Sequence, residues 1–157
     1  MPPRDACPCG SGRKYAACCA PLHRGEREAP DAETLMRSRY AAFARKEVDY
    51  LWRTLHPDHE DRAEDERTVK DALREACARH KYMGLRILDR RAPDEAGVAR
   101  VLFLARVFEQ GHERSFVELS EFAHDGAGWR YLRGRLVPVG VVAGDPEALT
   151  IATFPGR

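Results

Sequence analysis

Val101-Leu102-Phe103-Leu104-Ala105-Arg106-Val107 is apolar at odd and even positions alike, with Arg106 the one exception. That is the pattern of a strand in the middle of a sheet, covered on both faces. Other strands are predicted on either side of it. Upstream, Leu85 and Ile87 alternate with Gly84 and Arg86, and Pro93-Asp94-Glu95-Ala96-Gly97 reads as a turn. Downstream, Gln110-Gly111 marks a tight connection into a strand from about His112 to Ala123. Asp125-Gly126-Ala127-Gly128 is a further hairpin signal, followed by a strand at Trp129 to Leu132. A last strand is expected over Val137 to Val142, weakened by Pro138 and Gly140. The tail after Gly144 shows no periodic pattern.

The residues before this sheet read as helices. Asp31 follows Pro30 and suits an N-cap, with Glu33 in the first turn against the helix dipole. Met36, Tyr40 and Phe43 follow at spacings of four and three, and Val48, Leu51, Trp52 and Leu55 complete the i, i+3, i+4, i+7 template. His56-Pro57 is expected to end that helix, because a residue before proline avoids the helical region. Asp58 to Arg67 is mixed in charge and reads as a solvated loop or helix start. Val69, Ala72, Leu73, Ala76, Cys77 and His80 then share one helical face. Helices first and hairpin-linked strands afterwards predict an α+β fold, with the helices packed on one face of an antiparallel sheet.

The chain has 157 residues, the length of one domain with room for a small appendage. Apolar residues make up 43% and charged residues 32%, which excludes collagen-like and wholly disordered chains. No apolar run approaches the roughly 20 residues that span a bilayer, and the first residues do not resemble a signal peptide. A cytoplasmic protein is expected. Lys and Arg number 26 against 25 Asp and Glu, a balance that argues against nucleic acid as the partner. Arg4, Arg13, Lys14, Arg24 and Arg27 would have to supply any phosphate contacts.

Residues 1–30 stand apart. They hold four of the five cysteines and one large aliphatic side chain, Leu22, too little apolar surface to offset the entropy of ordering the segment. A metal would supply the missing stability. Cys7-Pro8-Cys9 and Cys18-Cys19 form a C-x-C-x8-C-C pattern, and four thiolates are a standard closed structural zinc site. Gly10 and Gly12 let the chain turn sharply after the first pair. Arg4, Arg13 and Lys14 are placed to offset the negative charge of a four-thiolate centre. Two disulfides are the first alternative, opposed by the strain of joining adjacent cysteines and by the expected compartment. An iron–sulfur cluster takes the same ligands, but ferredoxin spacings differ. A redox switch that releases zinc on oxidation is the third.

The segment from Cys7 to Cys19 closely resembles the SEC-C motif, a zinc-binding element also found at the C-terminus of the SecA translocation ATPase. Three further stretches, Pro30 to Tyr40, Tyr50-Leu51 with His56-Pro57, and His112-Glu113-Arg114-Ser115-Phe116 with Trp129-Arg130-Tyr131, resemble the bacterial YchJ family. The likeness runs to about residue 135. It implies one structural Zn2+ held by Cys7, Cys9, Cys18 and Cys19. It also implies a nuclear transport factor 2-like cone, in which helices curl against a bent antiparallel sheet and enclose a pocket. Two domains follow, the zinc-binding segment at 1–30 and the α+β domain at 31–157. The sequence departs from the family at Tyr82-Met83-Gly84-Leu85, where a tryptophan is common before the strand, which bears on the pocket lining.

Arg114, Phe116, Glu118, Ser120 and Phe122 share one parity of the predicted strand and form a mixed polar and aromatic face suited to a concave pocket. His112 or Glu118 would be the general base beside Arg114 as an anion clamp; the bland reading is a hairpin with an Arg114–Glu118 ion pair. His56-Pro57-Asp58-His59-Glu60 carries two imidazoles, but Pro57 breaks the helix that would align them, and a solvated helix end is expected. Cys77 on the apolar stripe reads as a small core residue, with His80 one turn away. The function these readings favour is a non-enzymatic zinc protein whose cysteine segment recognises a protein partner, as the SEC-C resemblance implies for translocation or ribosome-linked machinery. The alternative is a small-molecule binder or pocket enzyme, isomerase or hydrolase-like, working at Arg114 and Glu118.

Overall fold

A computed structural model describes residues 5–156. The chain runs through α1 (Ala20–His23), α2 (Ala32–Arg45), α3 (Val48–Arg53) and α4 (Glu66–Arg79) before any strand. It then forms β1 (Lys81–Arg91), β2 (Ala99–Glu109), β3 (His112–Glu113), β4 (Phe116–His124) and β5 (Trp129–Pro138). The architecture is α+β.

Helix α2 starts where its cap dictates, since the Asp31 carboxylate accepts the Thr34 N–H at 2.7 Å. It ends at Lys46, whose left-handed φ of 62° breaks the helical turn. Helix α3 stops earlier than Pro57 would require. Past Thr54 the chain turns extended and pairs with β5: Tyr131 N–H donates to the Thr54 carbonyl and His56 N–H to that of Tyr131, both at 2.8 Å. Tertiary pairing, not the proline, sets this boundary.

The sheet is antiparallel in the order β1-β2-β4-β5, with β3 paired to the end of β2. Irregularities at Tyr82/Gly84 and Ile87/Asp89 in β1, and at Glu121/Phe122 in β4, bend it into an open curve. The predicted strand from His112 to Ala123 is in fact broken at Arg114-Ser115. There the Ser115 hydroxyl takes the Val107 N–H at 3.1 Å in place of a ladder bond. The expected last strand is also corrected: Val137 and Pro138 complete β5, and Val139–Val141 is a single 3-10 turn.

The centre of β2 is covered on both faces, and its two parities face different partners. Val101, Phe103, Ala105 and Val107 pack with Leu35, Met36 and Tyr40 of α2 and with Leu51 of α3. Leu102 and Leu104 pack on the outer face with Val117 and with Phe154 from the tail. The tail is tied down by the Asp89 carboxylate, which accepts the Ile151 N–H at 2.8 Å. Leu22 and Ala29 of the N-terminal segment belong to the main core, so this segment is built into the body.

Candidate metal centre and cavity

Two left-handed glycines, Gly10 at φ 79° and Gly12 at φ 82°, fold the cysteine loop back on itself. The Cys7 N–H reaches the Arg13 carbonyl at 2.9 Å to close it. The four cysteines are buried, and their sulfurs all lie within 4.8 Å of one another. Cys9 and Cys18 are 3.6 Å apart and Cys18 and Cys19 3.9 Å. A tetrahedral ion with bonds of about 2.3 Å would set its sulfurs about 3.8 Å apart, so the spacing fits a metal held by four thiolates. All the cysteines are free. The hydrogen bonds Cys19 shares with Cys7 and Cys9 push its thiol pKa up, and the bond from Cys19 draws that of Cys9 down.

Helix α2 carries the loop. Arg37 Nη1 donates to the Cys9 carbonyl at 2.8 Å, and Ala41 packs among the cysteines. His23 bridges the two parts, with Tyr15 Oη 2.6 Å from Nδ1 and the Ser38 carbonyl 2.8 Å from Nε2. A carbonyl only accepts, so Nε2 carries the proton. Burial lowers the His23 pKa, in keeping with a neutral ring whose Nδ1 accepts from Tyr15. Of the cations expected around the loop, Lys14 is exposed and 3.8 Å from Asp5, while Arg4 lies outside the described residues. Arg37, which the sequence pattern did not single out, makes the contact.

Between α2, the end of α4 and the hollow of the sheet lies a cavity of about 420 Å³. Tyr40, Phe43, Tyr82, Phe103, Phe116 and Phe122 line it, so of the stretch Tyr82-Met83-Gly84-Leu85 it is Tyr82 that falls in its wall. Its polar groups are concentrated. Glu118 Oε2 accepts from the Ser120 hydroxyl at 2.5 Å and from the Tyr131 hydroxyl at 3.0 Å. The Arg39 guanidinium stacks 4.8 Å over the Tyr131 ring and donates through Nη1 to the Thr54 hydroxyl and the Leu51 carbonyl. Burial pushes the Glu118 carboxyl above its ordinary pKa, with the Ser120 and Tyr131 hydrogen bonds acting against it. Burial likewise raises that of Tyr131 and lowers that of Arg39.

The predicted face therefore lines the cavity whole: Arg114, Phe116, Glu118, Ser120 and Phe122 all contribute. His112 does not. It sits exposed in β3, on the hairpin turned by Gln110 and Gly111, and is no part of the lining. The Arg114–Glu118 ion pair is absent among the described residues, because Glu118 is engaged by hydroxyl groups and Arg114 is exposed. Arg39 and Tyr131 were missed. Arg39 left a signal, a charge on the stripe of Leu35, Met36, Tyr40 and Phe43. His56 and His59 form no joint site; each accepts a backbone N–H two residues on, from Asp58 and Asp61. His80 turns to the Ala76 carbonyl and to Glu109 rather than to Cys77.

Residues 31–134 match the family model described as the middle nuclear transport factor 2-like domain of YchJ. The chain belongs to the YchJ family. Residues 4–21 match the SEC-C motif. A relative from Deinococcus radiodurans, a UPF0225 protein, is 45% identical over 132 residues, covering 83% of this chain and 89% of its own. The solution structure of RPA3114, a SEC-C motif containing protein from Rhodopseudomonas palustris, aligns with a TM-score of 0.71 at 36% identity, covering 83% of this chain and 98% of that one. A SEC-C motif containing protein from Psychrobacter arcticus shares the fold at a TM-score of 0.65 and 23% identity, over 88% of this chain and 83% of that one. Among the described residues of this YchJ-family chain, no helix is long and apolar enough to cross a membrane.

Proposed function

We propose that this YchJ-family chain binds a small organic molecule in its cavity and holds one structural zinc ion at Cys7, Cys9, Cys18 and Cys19. The observation that carries the first part is the convergence of Arg39, Glu118, Ser120 and Tyr131 on one cavity whose wall is mostly apolar and aromatic. A largely apolar, concave site with a few placed polar groups is the usual form of a small-molecule site. Of the two candidate bases, His112 lies outside the cavity, and Glu118 within it is already hydrogen bonded by the Ser120 and Tyr131 hydroxyls, which supports a binding role for it. Zinc, when bound, would neutralise thiolate charge and pin the N-terminal loop to α2. Four thiols left unbonded suit a reducing compartment, which supports a cytoplasmic location.

A second reading, recognition of a protein partner by the cysteine loop, is supported by its tip. Residues 10 to 14 are exposed while the thiols beneath them are buried. Native and denaturing mass spectrometry of freshly purified protein tests both parts. One zinc per chain together with a co-purified organic mass is the expected result. No zinc with oxidised thiols would overturn the metal assignment. A bare metal-loaded chain would shift the weight to the loop as a docking element.

A further inference from the structure

Resting on the cavity reading above, we infer that the ligand is an apolar organic carboxylate: its anionic end meets Arg114 at the cavity mouth, and its far end, when hydroxylated, meets Glu118 at the floor. The charges of the lining argue for this. Two guanidinium groups, those of Arg39 and Arg114, face one carboxyl group, that of Glu118. Arg39 is committed: it is buried, stacked on Tyr131 and bonded to Thr54 and Leu51. Arg114 is different. It is exposed, lines the cavity and has no carboxylate within ion-pair distance among the described residues. An entering carboxylate would find an uncommitted guanidinium, which recognises a carboxylate through two parallel hydrogen bonds.

The order of residues leading into β4 supplies the rest. Arg114 just before the strand, then Phe116 and Glu118 within it, line the same cavity, so cation, aromatic wall and carboxyl follow one another in that order. At the floor, the Ser120 and Tyr131 hydroxyls both bond to Oε2 of Glu118, leaving Oε1 without a protein partner among the described residues. A ligand hydroxyl there can hydrogen bond with that oxygen in either of its protonation states. An amine ligand would gain from Glu118 and the aromatic rings, but it would enter past the like charge of Arg114 and meet a carboxyl group already engaged by two hydroxyls.

The test uses the metal-loaded full chain and three probes: hydrocinnamate, its para-hydroxy analogue and phenylpropylamine, titrated by calorimetry and by amide chemical shifts. Hydrocinnamate is expected to bind about tenfold more tightly than the amine, and the para-hydroxy acid several-fold more tightly again. Arg114→Ala, at an exposed position, should weaken both acids about tenfold and leave the amine unchanged. Glu118→Met should erase the advantage of the hydroxyl while hydrocinnamate still binds. Equal or tighter binding of the amine, or acids indifferent to Arg114→Ala, would overturn the carboxylate assignment and leave the cavity reading intact. No binding of any probe would overturn it too, and the co-purified mass then decides whether the cavity reading falls as well.

Discussion

A Cβ built on Gly134 would stand 2.8 Å from the carboxyl carbon of Glu118, closer than side-chain atoms approach one another. Gly134 lies mid-strand opposite Ser120, where glycine weakens a sheet and is kept when another group must come close. Here that group is the Glu118 carboxyl with the Tyr131 hydroxyl upon it. Gly134→Ala should therefore break the Glu118–Tyr131 contact and cost about 2 kcal/mol of stability through overpacking. Denaturant unfolding measures the cost; an alanine variant as stable as the parent would show that the carboxyl is free to move aside.

Glu118 gives the fold a pH dependence of known sign. Unfolded, the group titrates near its ordinary value of about 4.3; folded, burial raises that value. Between the two, the folded chain holds the proton that the unfolded chain has lost, so this contribution to stability is complete on the acid side and lost as pH rises. Glu118→Gln removes the effect. Its melting temperature relative to the parent should climb as pH rises from the ordinary carboxyl value of about 4.3 through the raised folded one, and a constant difference would refute the sign. Acid release of metal affects both proteins alike and cancels in the comparison.

Metal removal should loosen the N-terminal segment and weaken the main core through Leu22 and Ala29. Treatment with a strong chelator under reducing conditions is expected to cost about 3 kcal/mol, a fall of roughly 10 °C in melting temperature. Cys9→Ser should reproduce the loss without chelator. Unchanged melting in both cases would mean that the cysteine cluster carries no structural ion.

Arg37 separates holding the metal from building the fold. Arg37→Ala deletes the bond to the Cys9 carbonyl and the ion pair with Glu33 at 3.2 Å, leaving the apolar face of α2 intact. A loss of about 1 kcal/mol is expected, together with faster transfer of metal to a competing chelator. If the transfer rate stays that of the parent, the loop is held by its own turns.

The order of helices and strands was legible because each stretch repeats one period. Asp31, the β2 run and the Asp125–Gly128 hairpin all fall where local chemistry places them. The misses share one cause. Helix α3 ends early because Thr54 and His56 pair with Tyr131, and β4 starts late because Ser115 bonds across to Val107. The first pairing joins residues distant in the chain and the second crosses a hairpin to the neighbouring strand; periodicity along one segment registers neither. The cavity wall was legible by parity along β4, since Arg114, Phe116, Glu118, Ser120 and Phe122 alternate with outward-facing residues. Tyr131 and Arg39 reach the same cavity from β5 and α2, and only curvature of the sheet brings them to Glu118. The cysteine cluster was the plainest signal, because its ligands are local and the loop between them is short.

The similarity to the family domain stops at residue 134, yet β5 runs on to Pro138 and Phe154 seals the outer face of the sheet. A fragment trimmed to the matched region would bare Leu102, Leu104 and Val117 as one sticky patch and cut the final strand short. Such a fragment would be expected to self-associate. The stretch from Leu149 to Phe154 thus shields the sheet from self-association, and a truncation for expression should leave it in place.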